Sequence, residues 1–331
     1  MSWTRPAVAF GAALLVAALT APMARALALR YGWVDHPGAR KGHARPTPLL
    51  GGLALWGAVS AGWLAAGGLR AGGEVVAAAL LVGLVGLWDD RRGLGPAAKL
   101  GVECLAALWV VAGGGTTVAA GDEGLAAALG VAWVLLVTNA VNLLDNADGS
   151  AAGTVAIGAL SLLGVAATAA GASPVAGIVA ALAGACVGFL PFNRHPASLF
   201  MGDAGSLFIG FLLAVSSLRL HAAAPVDSGA AWAPALVLTV PLTDTAFVVV
   251  SRLRRGLNPL TSPGRDHLAH RLTARGWTER GAVALLWAAG ALAGLGGIVA
   301  ALSTRFVAWC LLGVAAAIAA GICVRLAGAP R

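Results

Sequence analysis

The sequence predicts an all-α, polytopic integral membrane protein folded as a single domain over residues 1–331. Three observations predict it. The chain is 59% hydrophobic and 11% charged, where a soluble domain carries roughly 25% charged residues. Apolar runs recur about eleven times, each near the ~20 residues that cross a bilayer core. The charges lie between those runs, and on an eleven-span path all but four of the 22 Lys and Arg residues (Arg5, Arg70, Arg219 and Arg305) fall on one side. The positive-inside rule makes that side cytoplasmic, with the N-terminus out and the C-terminus in.

In chain order the runs are 7–26, 49–68, 74–88, 97–113, 125–143, 151–171, 174–191, 205–220, 230–250, 281–301 and 306–324. The first ends near the small-residue stretch APMARA, which also suits a signal peptide. Only Arg5 precedes it while Arg25 and Arg30 follow, which favours a retained helix. Cys104, Cys186, Cys310 and Cys323 all lie inside apolar runs without CxxC spacing, so they read as small hydrophobes. A net charge of +8 would suit nucleic acid, but its placement between apolar runs reads as orientation signals instead.

The chain is organised around Asn139–Gly153, NAVNLLDNADGSAAG. Asn142, Asp145 and Asp148 recur at three-residue intervals, so a continuing helix would put them on one face. Carboxylates at the edge of a hydrocarbon slab are costly unless a cation, a substrate or water meets them. Gly149 and Gly153 allow a turn or a close approach to a ligand.

Four further loops share the cytoplasmic face. DHPGARKGHARPTPLLGG (35–52) has too much Pro and Gly for a helix, and Arg40, Lys41, His43 and Arg45 make it cationic. It reads as a positive-inside anchor or as a binding loop. Asp89-Asp90-Arg91-Arg92, with Lys99 beyond, reads as an interfacial salt-bridge cluster or as a cation or proton-abstraction site. In PFNRHPASLFMGDAGS (191–206), Asp203 opens the eighth run, where a helix N-cap and a metal or phosphate site are both open readings. The last loop, Ser251–Gly281, carries Arg252, Arg254, Arg255, Arg265 and Arg271. Its His267 and His270 share a helical face, and so many arginines suit phosphate better than zinc. Oxygen donors suit Mg²⁺ or Mn²⁺, and a cationic rim suits an anionic headgroup. The chemistry described is metal-assisted phosphoryl transfer at a membrane surface.

These five motifs, in this order and over nearly the whole chain, resemble the polyprenyl-phosphate N-acetylhexosamine-1-phosphate transferases. The resemblance implies transfer of a sugar-1-phosphate from a UDP-sugar to a polyprenyl phosphate in the bacterial cytoplasmic membrane. UMP is released, and the reaction is the first membrane step of cell-envelope polysaccharide synthesis. It implies Mg²⁺, with Mn²⁺ as a substitute, and a polyprenyl phosphate and a UDP-N-acetylhexosamine as partners. Nucleic acid is not among them, and a homodimer is left open. Carried over by motif, Asp89, Asp90 and Asp145 take catalytic positions, and Asn142 and Asp203 take metal positions. Asp148, Gly149, Asn193, Phe200, Arg265, His267 and His270 take the UDP-sugar, while Lys99, Lys41 and Arg45 take the lipid phosphate.

Two departures from the family pattern stand out. Ala269 replaces the middle histidine of a His-Ile-His-His motif, and Asn146 stands where Gly is commoner. RKxHxxPxPxxGG and the Asp-His-x-x-His of residues 266–270 are nearer the GlcNAc-1-phosphate branch than the phospho-MurNAc-pentapeptide branch, whose donor is the alternative. A transporter without transferase activity is the alternative of another class; gathering of the acids on one face, rather than at midplane in two halves, argues against it.

Overall fold

The computed structural model describes residues 3–36, 46–68, 72–114, 122–168, 175–259, 261–262 and 264–327. Its helices in order are α1 (Thr4–Tyr31), α2 (Gly51–Ala65), α3 (Gly73–Arg92), α4 (Pro96–Ala112), α5 (Glu123–Leu144), α6 (Ser150–Thr168) and α7 (Val175–Asn193). They continue with α8 (Gly202–Ala223), α9 (Ala233–Val237), α10 (Thr239–Leu253), α11 (Leu268–Thr273), α12 (Glu279–Ala301) and α13 (Arg305–Ala327). Among the described residues α1, α5, α6, α7, α8, α12 and α13 are long and apolar enough to cross a membrane.

Among the described residues each predicted apolar run is mainly helical, but the ninth is broken into α9 and α10 at Leu238. Pro241 explains the break, because in a continuous helix its ring would meet the carbonyl of Val237 four residues back. One element departs from an all-α reading. Val34–Asp35 (β1) pairs antiparallel with Thr47–Pro48 (β2) across the base of the first loop. Starts follow local chemistry: Pro96 opens α4, and Asp122 and Thr278 cap α5 and α12 by accepting from the amides of Leu125 and Gly281.

Small residues bring the helices together. α1 buries Ala9, Ala13, Ala17, Ala21, Ala24 and Ala28 in a stripe along one side. Gly184 and Gly188 of α7 meet it, each with no room for a Cβ beside the backbone carbonyls of Phe10 and Leu14. Between apolar helices such close backbone contact is a main source of association. The C-terminal ends of α3, α5 and α7 and the N-terminal ends of α4 and α8 meet on one side of the bundle, where the polar loops gather. At the far end Arg219 of α8 pairs with Glu74 of α3 at 2.6 Å.

Candidate active site

The site is built where α3 ends and α8 begins. Asp90 turns both carboxylate oxygens onto the first turn of α8, accepting from the amides of Asp203 at 2.8 Å and Ala204 at 3.0 Å. These amides have no partner within their own helix, and the helix dipole adds to their pull on an anion. Asp203 is therefore not the cap of its helix; Asp90 does that work from another one. Gly86 on α3 permits the approach, since a Cβ there would strike the Asp203 backbone. Gly202 packs directly on the Asp90 carboxylate with φ +65°, a conformation that a side chain would oppose.

With its amide held, Asp203 extends its carboxylate to two other helices. One oxygen takes Lys99 Nζ of α4 at 2.8 Å and the other takes Asn142 Nδ2 of α5 at 3.0 Å. Lys99 also meets Asp89 at 2.7 Å, while the other Asp89 oxygen accepts from the Leu94 amide. Lys99, rather than Arg91 or Arg92, thus supplies the cation of the aspartate pair. Those arginines lie over the rings of Trp33 and Trp88, at 5.2 and 4.8 Å from the ring centres.

α5 stops at Leu144, so the face predicted for Asn142, Asp145 and Asp148 is interrupted. Gly149, at φ +76°, turns the chain into α6. Asp145 closes α5 with no donor on its carboxylate among the described residues. Burial, and then the charges of Asp203, Asp90 and Asp148, push that carboxyl well above the usual carboxylate range. Asp148 faces the other way, accepting from the Ala197 amide at 2.8 Å and lying 3.0 Å from His195 Nδ1. His195 also meets Glu279 at 2.8 Å, which ties this turn to α12. Gly153, read as a ligand approach, lies instead inside α6 under the Trp287 ring.

The histidine loop is fastened from behind. Asp244 of α10, fully buried, lies 2.8 Å from His267 Nδ1 and accepts from the Leu268 amide at 2.7 Å. Buried Asp266 gathers Arg255, Arg252 and Arg271. The His267 and His270 rings meet edge to face at 6.0 Å. Burial, followed by the charges of His267 and Arg265, pushes His270 down to about 4, so it is neutral at pH 7. Leu268 and Ala269 belong to a small apolar core with Phe247, against which Ala147 of the Asp145 turn packs. The two polar centres therefore adjoin.

Asn193 is buried and donates to the Leu199 carbonyl at 3.1 Å, which shapes the loop ahead of α8. Phe200 is half-buried, its backbone fixed by Pro48 and Gly51 at 2.9 Å each. Arg265 is exposed beside the histidines. Lys41 and Arg45 lie outside the described residues. Sequence reasoning missed Asp244, His195 and Glu103. Glu103 is buried one helical turn beyond Lys99 and takes a hydrogen bond from Asn139. Asp244 and Glu103 are acids inside apolar runs, and that was the signal available for both.

The donor set fits a hard divalent cation. Asp89, Asp90, Asp145 and Asp203 present four carboxylates, and Lys99 is the one cation bonded to any of their side chains among the described residues. Asn142 and Asp203 carry the oxygen donors. No three His, Cys, Asp or Glu side chains among the described residues enclose an ion by themselves. An ion that keeps water and phosphate oxygens as ligands needs only one or two protein carboxylates.

Residues 74–221, which carry α3 through α8 and both carboxylate-bearing ends, match the model of glycosyl transferase family 4. A Bacillus subtilis protein named "Probable undecaprenyl-phosphate N-acetylglucosaminyl 1-phosphate transferase" is 33% identical, over 89% of this chain and 85% of its own. A decaprenyl-phosphate N-acetylglucosaminephosphotransferase of Mycolicibacterium smegmatis is 36% identical, over 80% of this chain and 74% of its own. A phospho-N-acetylmuramoyl-pentapeptide-transferase of Heliobacterium modesticaldum is 33% identical, over 90% and 97%. Similarity of this depth and extent, over the helices that assemble the carboxylate centre, places the chain in glycosyl transferase family 4 as a membrane phosphoglycosyltransferase.

Proposed function

We propose that this enzyme moves GlcNAc-1-phosphate from UDP-GlcNAc to a polyprenyl phosphate at the cytoplasmic face of a bacterial membrane. An oxygen of the lipid phosphate attacks the β-phosphorus of the sugar nucleotide. The bond from that phosphorus to the oxygen bridging the α-phosphate breaks, and UMP leaves with the electron pair. The observation that carries the reading is the meeting of Asp89, Asp203, Asn142 and Lys99 from four helices beside an uncommitted Asp145. The names of the Bacillus and Mycolicibacterium relatives support the acceptor and the sugar. The one-sided Lys and Arg distribution supports eleven crossings with the N-terminus out.

In this mechanism Asp90 holds α8 in place, and Asp145 acts on the reacting phosphates. Asn142 and Asp203 would hold Mg²⁺, which when bound neutralises charge on the diphosphate oxygens. Lys99 balances the aspartates and is released toward phosphate. Phe200 stacks on uracil, while Arg265, His267 and His270 meet the diphosphate.

The test is UMP release by purified enzyme given undecaprenyl phosphate, Mg²⁺ and UDP-GlcNAc, beside metal-free and UDP-MurNAc-pentapeptide reactions. Metal-dependent UMP with UDP-GlcNAc alone supports the reading. UMP with the pentapeptide donor alone keeps the chemistry and replaces the sugar, as the Heliobacterium relative would suggest. No UMP from any sugar nucleotide overturns it.

A further inference from the structure

Asp244 lies within the ninth apolar run, outside every motif that carries the proposed chemistry. A fully buried carboxylate among Val240, Phe247 and Val248 is costly unless its partners are exact in kind and place. Here both oxygens are satisfied by the same short stretch. One lies 2.8 Å from Nδ1 of His267, and the other takes the Leu268 amide at 2.7 Å. A carboxylate only accepts, so the nitrogen facing it must carry the hydrogen. His267 is itself held in extended backbone at the start of α11 and is 5% exposed, so the ring has little room to turn.

We infer that Asp244 is a positioning residue that fixes the tautomer of His267, leaving Nε2 as the atom this loop offers to the substrate diphosphate. The inference rests on the reading of a sugar-nucleotide substrate given above. With Nδ1–H committed to Asp244, Nε2 of the neutral ring carries a lone pair and would repel phosphate oxygen. It binds an anion only with a second proton, as an imidazolium whose charge Asp244 offsets from behind. Charge at the diphosphate therefore arrives with a fixed direction. This also gives a physical role to a loop in which Ala269 removes the middle histidine. With no imidazole between them, His267 depends on α10 rather than on a neighbour in its own helix.

The Asp244→Asn variant separates orientation from bulk. The amide oxygen still accepts from Leu268, and its NH₂ then faces Nδ1, which forces the hydrogen onto Nε2. Histidine-selective ¹⁵N labelling of the full-length enzyme in nanodiscs reads this directly, with His267 identified by its loss in His267→Gln. Expected is a protonated Nδ1 in the wild type and, in Asp244→Asn, a neutral ring protonated at Nε2. The Nε2–H of the variant can still donate to phosphate, but without a carboxylate behind the ring its positive charge is no longer offset. The KM for UDP-sugar should therefore rise about tenfold with a smaller change in kcat, and Asp244→Glu should recover part of it.

A wild-type ring protonated at Nε2 with a bare Nδ1 overturns the inference, even if the variant does not fold. An unchanged tautomer and KM in a folded Asp244→Asn overturns it as well. The expected tautomers with no UMP from any sugar nucleotide would sink the functional reading and, with it, the assigned ligand of Nε2; the Asp244–His267 relation itself would stand.

Discussion

Asp90 and Asp203 are joined through a backbone amide: the carboxylate of the first accepts from the N–H of the second at 2.8 Å and from the next amide at 3.0 Å. The aspartate that sequence reasoning places at the chemistry is thus also the cap of the helix that carries another. Asp90→Asn keeps one acceptor oxygen and points its NH₂ at an N–H donor. We expect a loss of about 1–3 kcal/mol of stability together with activity. Thermal unfolding beside UMP release checks it, and an inactive variant of wild-type stability would refute the capping role.

Asp145→Asn should behave oppositely. Nothing in the described structure donates to this carboxylate, so replacing it leaves no bond unmade. Its folding should be unchanged or improved, because the charges of Asp203, Asp90 and Asp148 oppose it. Turnover should fall at least ~100-fold, the scale of a lost group acting on the reacting atoms. Comparable activity in a folded Asp145→Asn would move the chemistry elsewhere.

Lys99 stands where an added cation would compete, bonded to Asp89 and Asp203 at once. Lys99→Met should therefore be poorly active yet show a larger Mg²⁺-induced rise in Tm than the wild type. Asp203→Asn should lose most of that rise. An equal Mg²⁺ response in all three proteins would remove Asp203 from the metal site.

His270 makes a pH prediction. Its folded value of about 4 lies below the ~6.5 of an unfolded histidine, so the unfolded chain binds the extra proton between them. The contribution is fully present above pH 6.5 and is lost as pH falls toward 4, amounting to about 3 kcal/mol at most. His270→Gln should show a shallower fall of Tm between pH 7 and 4.5 than the wild type. Identical slopes would mean that this ring is not buried neutral.

Phe200 is anchored by its backbone to Pro48 and Gly51, so truncating its ring leaves the loop in place. Phe200→Ala should raise the KM for UDP-sugar about tenfold with kcat little changed. An unchanged KM would take uracil away from this ring.

The helices were legible because apolar run length and flanking charge are local quantities. The meeting of Asp89, Lys99, Asn142 and Asp203 was legible only as motifs on one face; which cation served which acid was not. Arg91 and Arg92 are adjacent in sequence but lie on Trp33 and Trp88, whereas Lys99, a loop and a turn away, reaches both acids. The i, i+3 pattern misled at Asp148, since nothing in the spacing announced that α5 ends at Leu144. Asp244 was hidden for another reason. A single acid in an apolar run has no local partner, and its meaning depends on a loop more than twenty residues away.

Asp90 and the amide that it grips are 113 residues apart. During synthesis, a chain that has emerged only to the end of α7 can pair Lys99 with Asp89, but Asp90 and Asn142 still lack the α8 groups that they meet. Helices that insert first and associate afterwards tolerate such a delay. The order of insertion then makes α8 the element that completes the carboxylate centre, ahead of the histidine loop. A chain that ends before residue 203 would leave Asp90 at the membrane edge without the two amides that satisfy it.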